Sequence, residues 1–220
     1  AAIGYNAYSI IKTGKDEFGN FLPYYFRSLD DYKMPLYLYL TVLSESVFGL
    51  SDFSVRLPAF LFGTFTVLLV FFLAKEIFGK SIPAYLASLF MAISPWHVQF
   101  SRMASESTAG LFFFIFGVLS FLFSIKRNRW WLVVSVVAFG LGMQSYLSFK
   151  VIIPLMMIAL GLIYRSKIHK NHPAFFTSGI LIVLIIMILS WDIFIQKGHI
   201  RLRGTNVFNS NEIYIKNENE

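Results

Sequence analysis

The sequence predicts an all-α, polytopic membrane protein, a helical bundle of about six spanning helices preceded by two short helices that lie in the interface. Two observations predict it. Apolar residues make up 56% of the chain and come in blocks, without the alternation or amphipathic period of soluble elements. Charged residues make up only 14%, where a soluble domain carries about 25%. The chain has no cysteine, which excludes disulfides and thiolate-bound metals. The net charge of +7 would suit nucleic acid only if the basic residues shared one face. They are split among separate loops, so no nucleic-acid partner is expected.

Residues 1–56 form an outer region ahead of the first span. "AAIGYNAYSIIKTG" reads as a short helix ended by Gly14. "DDYKMPLYLYLTVLSESVFG", residues 30–49, puts two carboxylates and a lysine directly before Pro35, and residues 36–48 read as a second helix. Residues 36–48 would span about 20 Å, short of the ~30 Å hydrocarbon core. Tyr37, Thr41, Ser44 and Glu45 share one face of it, and Leu36, Leu40, Leu43 and Val47 another. Such a segment lies in the interface. The charges of "DDYK" then sit at headgroup depth, where a lipid phosphate would be.

The spanning bundle covers 57–194, with candidate spans at 57–73, 82–93, 108–125, 130–146, 151–164 and 174–194. The second and fifth fall short of ~20 residues and borrow flanking positions. In the fifth, Lys150 and Arg165 can snorkel to the two interfaces, with Pro154 and Gly161 inside. The turns between spans set the orientation. Lys75 and Lys80, then Lys126, Arg127 and Arg129, then Arg165, Lys167 and Lys170 fill alternate turns, against the single acid Glu76. The positive-inside rule places those turns in the cytoplasm and every other acid on or near the opposite side. Residues 195–220 form an outer tail or the start of a further loop. The chain opens at Ala1 with no apolar first helix and closes on a polar stretch, so a larger polytopic protein is expected.

Three stretches carry a resemblance. "AAIGYNAYSIIKTGKDEFGNFLPYYFRSLDDYKMPLYLYL", "FGLSDFSVRLPAFLFGTFTVLLVFFLAKEIFG" and "AISPWHVQFSRMASES" resemble the bacterial membrane glycosyltransferases of the protein O-mannosyltransferase and aminoarabinose transferase superfamily. The likeness covers about residues 1–160 and is densest in the first 110. It implies the GT-C fold, a polyprenyl-phosphate-linked sugar as donor, a protein, lipid or glycan acceptor, and transfer at the extracytoplasmic face of the plasma membrane. "YKMP" matches the family's Lys-Pro-Pro element, which implies that Lys33 approaches the donor phosphate. Met34 stands where the first proline would be, and Tyr32 where an acid or histidine is common. A divalent metal is possible, but that departure weakens a metal ligand there. The family's catalytic carboxylate belongs to an Asp-Glu pair that the resemblance places just ahead of Ala1.

The remaining candidates follow from the chemistry. Glycosyl transfer from a lipid phosphate needs a base for the acceptor hydroxyl and cations for the departing phosphate. Lys33 suits the second role, although composition alone also allows a snorkelling interfacial lysine. Asp30 and Asp31 stand just before it and would orient it. Arg102 and Glu106 stand four apart, either paired on one helical face or both facing the cavity of Lys33. Glu106 is the catalytic candidate within the chain, because the family carries a carboxylate in this region. Tyr146 and Lys150 occupy positions where relatives have tyrosine followed by arginine, and a lysine cannot reproduce a bidentate phosphate fork. Arg56 is expected to order the loop before the first span. His97 lacks a partner at ligand spacing, which favours a structural role, and His169 and His172 belong to a cytoplasmic turn. The rival readings are a secondary transporter, which would place charges near the midplane, and a non-catalytic assembly subunit.

Overall fold

The protein is described by a computed structural model covering residues 2–24, 26–28 and 31–164, with the backbone alone at 27, 28, 31 and 32. The helices are α1 (Ala2–Thr13), α2 (Pro35–Phe48), α3 (Asp52–Phe78), α4 (Ser81–Ile93), α5 (Pro95–Arg102), α6 (Glu106–Lys126), α7 (Trp131–Met143) and α8 (Phe149–Ile163). Between α1 and α2 lies a short hairpin, β1 (Phe26–Ser28) and β2 (Asp31–Lys33), that the sequence reading did not foresee. Its antiparallel register pairs Phe26 with Lys33 and Ser28 with Asp31. Three-residue strands are too short to show a period of two.

Glycine and proline punctuate the chain. Gly14, at φ +70°, closes α1 and donates to Ile10 O at 2.9 Å. Pro35 opens α2, and Ser94 is held extended before Pro95, which separates α4 from α5. Helix α3 starts on a capping box: Ser51 Oγ accepts from Ser54 N at 3.2 Å, and Ser54 Oγ accepts from Ser51 N at 3.1 Å.

Two of the predicted spans, 57–73 and 108–125, lie inside helices of full length, α3 with 27 residues and α6 with 21. At 1.5 Å per residue these reach about 40 and 32 Å, enough for the hydrocarbon core. The stretches 82–93, 130–146 and 151–164 instead form helices of 13 to 15 residues. Those reach only about 20–22 Å. The stretch 174–194, the third basic turn and the tail lie outside the described residues.

The packing is that of a membrane bundle, with small residues inside and large ones outside. Helix α3 buries Ser54, Ala59, Gly63, Thr66 and Ala74 and exposes Phe60, Phe65, Leu68 and Phe72. At its contact with α7, Gly117 of α6 lies against the Phe139 ring and its carbonyl accepts from Ser135 Oγ at 2.7 Å. Phe121, Leu122, Phe139, Met143, Ile153 and Leu160 join α6, α7 and α8 into one apolar core. Ile3, Tyr37, Ala59 and Ala109 form a second cluster where α1 and α2 meet the first halves of α3 and α6. Helices α3 and α6 run side by side in one direction, and their last turns are joined by Lys126 and Arg127 on Glu76 at 3.0 and 3.5 Å. The first two basic turns therefore share one end of the bundle, and α1, the hairpin and α2 lie at the other.

Helix α2 buries its polar face. Tyr37, Thr41, Ser44 and Glu45 point inward, while Leu43 and Val47 are 65% and 73% exposed. A helix that exposes leucine and buries hydroxyls is built to face lipid, which agrees with an interfacial segment.

Candidate functional site

The site is built on the first turn of α2. A helix start leaves backbone N–H groups without partners, and Pro35 at the first helical position removes one of them. Met34, the residue that precedes the helix, has no side chain able to cap the others. The rest of the fold supplies the acceptors. Met34 N–H donates to Glu106 Oε2 at 3.4 Å, and Leu36 N–H donates to Gln144 O at 3.4 Å. Tyr24 Oη donates to Gln144 Oε1, and Tyr39 Oη donates to Pro23 O at 3.1 Å. Phe26, opposite Lys33 in the hairpin, is 1% exposed and packs edge-on against Tyr39 at 5.8 Å. Lys33 is thus carried on a backbone anchored on both sides, with its own side chain half-buried.

The predicted residues divide as follows. Lys33, Glu106 and the 144–150 segment come together at the end of the bundle opposite the basic turns. Tyr146 is half-buried in the turn after α7, and Lys150 is half-buried in the first turn of α8. Lys150 follows Phe149, whose ring lies where a side chain on Gly110 would be, 2.4 Å from an added Cβ. Asp30 lies outside the described residues, and of Asp31 only the backbone pairing is described.

The single-face pairing of Arg102 with Glu106 is corrected. Arg102 is the last residue of α5 and is exposed, whereas Glu106 is the first residue of α6 and is 8% exposed. Residues 103–105 break the helix between them, so a spacing of four does not place them on one face. Arg102 stays at this end of the bundle because Thr108 Oγ1 donates to Phe100 O at 3.1 Å. His97 has the structural contact expected of it, Nε2 donating to Gly63 O at 3.0 Å.

Sequence reading missed Gln144, Tyr24 and the Met34 amide. The only available signal was Gln144 itself, a polar residue closing the apolar run of α7. Burial and, less, the charge of Glu106 push the Tyr37 phenol up, while its backbone contact near Ala59 acts the other way. Burial raises the Glu45 carboxyl to about 7.

Beside this end, Met91, Trp96, Phe100, Thr108, Leu111 and Phe149 line a largely apolar cavity of about 380 Å³. Among the described residues, no three His, Asp or Glu side chains converge as metal ligands.

The chain is 28% identical over 171 residues to "Putative mannosyltransferase YkcB" of Bacillus subtilis strain 168, covering 75% of the chain and 23% of that protein. It is 26% identical over 187 residues to "Putative mannosyltransferase YycA" of the same strain, covering 82% of the chain and 26% of that protein. The chain therefore spans about a quarter of the length of these curated relatives. The crystal structure of ArnT from Cupriavidus metallidurans in the apo state shares the fold, with a TM-score of 0.66 at 17% identity over 89% of the chain and 39% of ArnT. That likeness bears out the all-α GT-C membrane fold expected from the resemblance. The dolichyl-phosphate-mannose-protein mannosyltransferase family matches residues 32–191, from the strand that carries Lys33 to beyond α8, and the chain belongs to that family.

Proposed function

We propose that this chain is the donor-binding part of a glycosyltransferase that moves a sugar from a polyprenyl-phosphate carrier to an acceptor hydroxyl at the extracytoplasmic membrane face. The observation that carries this reading is the anchoring of Lys33 at the end of the bundle opposite the basic turns, the end at which Ser107 and Phe149 also line an apolar cavity. A lysine held at headgroup depth offers a point charge to a phosphate. The apolar cavity at this end takes the isoprenoid, and Arg102 and Lys150 add positive charge at the same end. The positive-inside rule puts that end outside the cell.

In the transfer, the acceptor oxygen bonds to the anomeric carbon while the bond from that carbon to the phosphate oxygen breaks. The electron pair leaves with the polyprenyl phosphate, where Lys33 stabilises it. The acceptor proton goes to a carboxylate acting as general base.

The test uses the complete protein in liposomes with a labelled polyprenyl-phosphate hexose. Lys33→Ala is expected to lower transfer tens- to hundreds-fold, about 2–4 kcal/mol, with folding intact. Lys33→Arg is expected to keep part of the activity. Full transfer by the alanine variant would remove Lys33 from the site. A protein that transfers nothing and tolerates changes at Lys33, Arg102 and Glu106 would be an assembly subunit.

A further inference from the structure

We propose that Glu106 is a positioning residue for Lys33, and that it does not take the acceptor proton. The inference rests on the glycosyltransferase reading and deepens it. Glu106 reaches across 72 positions of sequence to the backbone amide of Met34, one residue beyond Lys33. It does from another helix what the third residue of a capping box does within its own, accepting from the amide of the residue that precedes the helix. Position 34 carries a methionine with no oxygen to offer, and Pro35 excludes a donor at the next position. Gln144 takes the following amide, Leu36, through its own carbonyl and holds Tyr24 through its side chain. The first residue of α6 and the residue that ends α7 therefore clamp the start of α2 from two directions.

This geometry leaves Glu106 poorly placed as a base. A base needs a carboxylate oxygen within about 2.6–3.2 Å of an acceptor hydroxyl that enters from solvent. Glu106 is 8% exposed, and its Oε2 faces the Met34 amide at the start of α2. Through Oε2 it accepts from an amide, and that amide keeps its proton in the reaction. What the contact can do is fix where the Lys33 strand ends and α2 begins, so that the ammonium meets the phosphate in one geometry. Fixed cation placement is the part of electrostatic catalysis that is lost when a strand end moves by an ångström.

The clamp and the base make opposite predictions for the carboxamide variant. Its side chain offers the Met34 amide the same oxygen but cannot accept a proton, so Glu106→Gln is expected to restore most of what Glu106→Ala loses in the complete protein. Loss of a general base would instead cost about 10²–10⁴-fold in kcat in both variants. Glu106→Ala is expected to raise the KM for the labelled polyprenyl-phosphate hexose, and adding it to Lys33→Ala is expected to cost little more than Lys33→Ala alone. Hydrogen exchange at residues 26–37 is a readout that needs no turnover: faster in Glu106→Ala, restored in Glu106→Gln. Exchange as expected in a protein that transfers no sugar would support the clamp and sink the functional reading. A hundredfold fall in kcat for Glu106→Gln with hairpin exchange unchanged would overturn the positioning role.

Discussion

Raising the pH through neutrality is expected to loosen the packing of α1 on α2 through one side chain, Glu45. The residue is 3% exposed, and neither carboxyl oxygen has a hydrogen-bond partner among the described residues. It lies against α1: an added Cβ on Gly4 would meet Glu45 Oε1 at 3.1 Å, beside Val55 Cγ2 at 2.7 Å and Leu50 Cδ1 at 3.7 Å. Desolvation penalises the carboxylate and raises the group from 4.5 to about 7. The proton is therefore held more tightly in the folded protein than in the unfolded one. The stabilisation this provides is complete below about pH 4.5 and is lost as the pH climbs through about 7. At 1.36 kcal/mol per pH unit the ceiling is about 3 kcal/mol, and relaxation around a buried charge generally brings such a figure down to roughly 1–2 kcal/mol. Thermal unfolding in detergent, followed by hydrogen exchange in α1, is expected to show the chain more stable at pH 5 than at pH 8. Glu45→Gln is expected to flatten that dependence by keeping a neutral group of the same shape. Identical pH slopes in the two proteins would refute the reasoning, because burial of an unpartnered carboxyl would then have no energetic consequence.

The topology is tested by cysteines placed at Ser28 and Asn128 in the otherwise cysteine-free chain. A membrane-impermeant reagent is expected to label them from opposite sides, since the hairpin and the turn after α6 lie at opposite ends of the bundle. Labelling from one side would overturn the assignment. Gly110→Ala puts a methyl 2.4 Å from the Phe149 ring, which itself packs at 5.9 Å on Phe114. A loss of about 1–3 kcal/mol in stability is expected, with transfer impaired because Lys150 moves with α8. An unchanged melting temperature would show that the ring rotates aside without cost.

What the sequence determined by itself was the set of elements and the class. Blocks of phenylalanine, leucine and valine make α3 and α6 long and apolar enough to cross a membrane. Gly14, Pro35, Gly79 and Pro95 stop and start helices through backbone terms that act within one or two residues. Lys75, Lys80, Lys126, Arg127 and Arg129 imply one shared end, and Glu76 with its two partners bears that out for the turns after α3 and α6. Order and spacing were also enough to carry the family likeness to Lys33.

Tertiary structure decided the rest. Arg102 and Glu106 look like an i, i+4 pair until residues 103–105 break the helix, and only packing shows one turned out and the other in. The polar face of α2 could have met water, yet it meets α1 and α3, which is why Glu45 is buried. The acceptors that complete the start of α2 come from Glu106 and Gln144, because an unsatisfied amide takes whatever acceptor the fold brings near. Local pattern cannot name such a partner, since the contact depends on how α6 and α7 stack and leaves no trace in the spacing of residues along the chain.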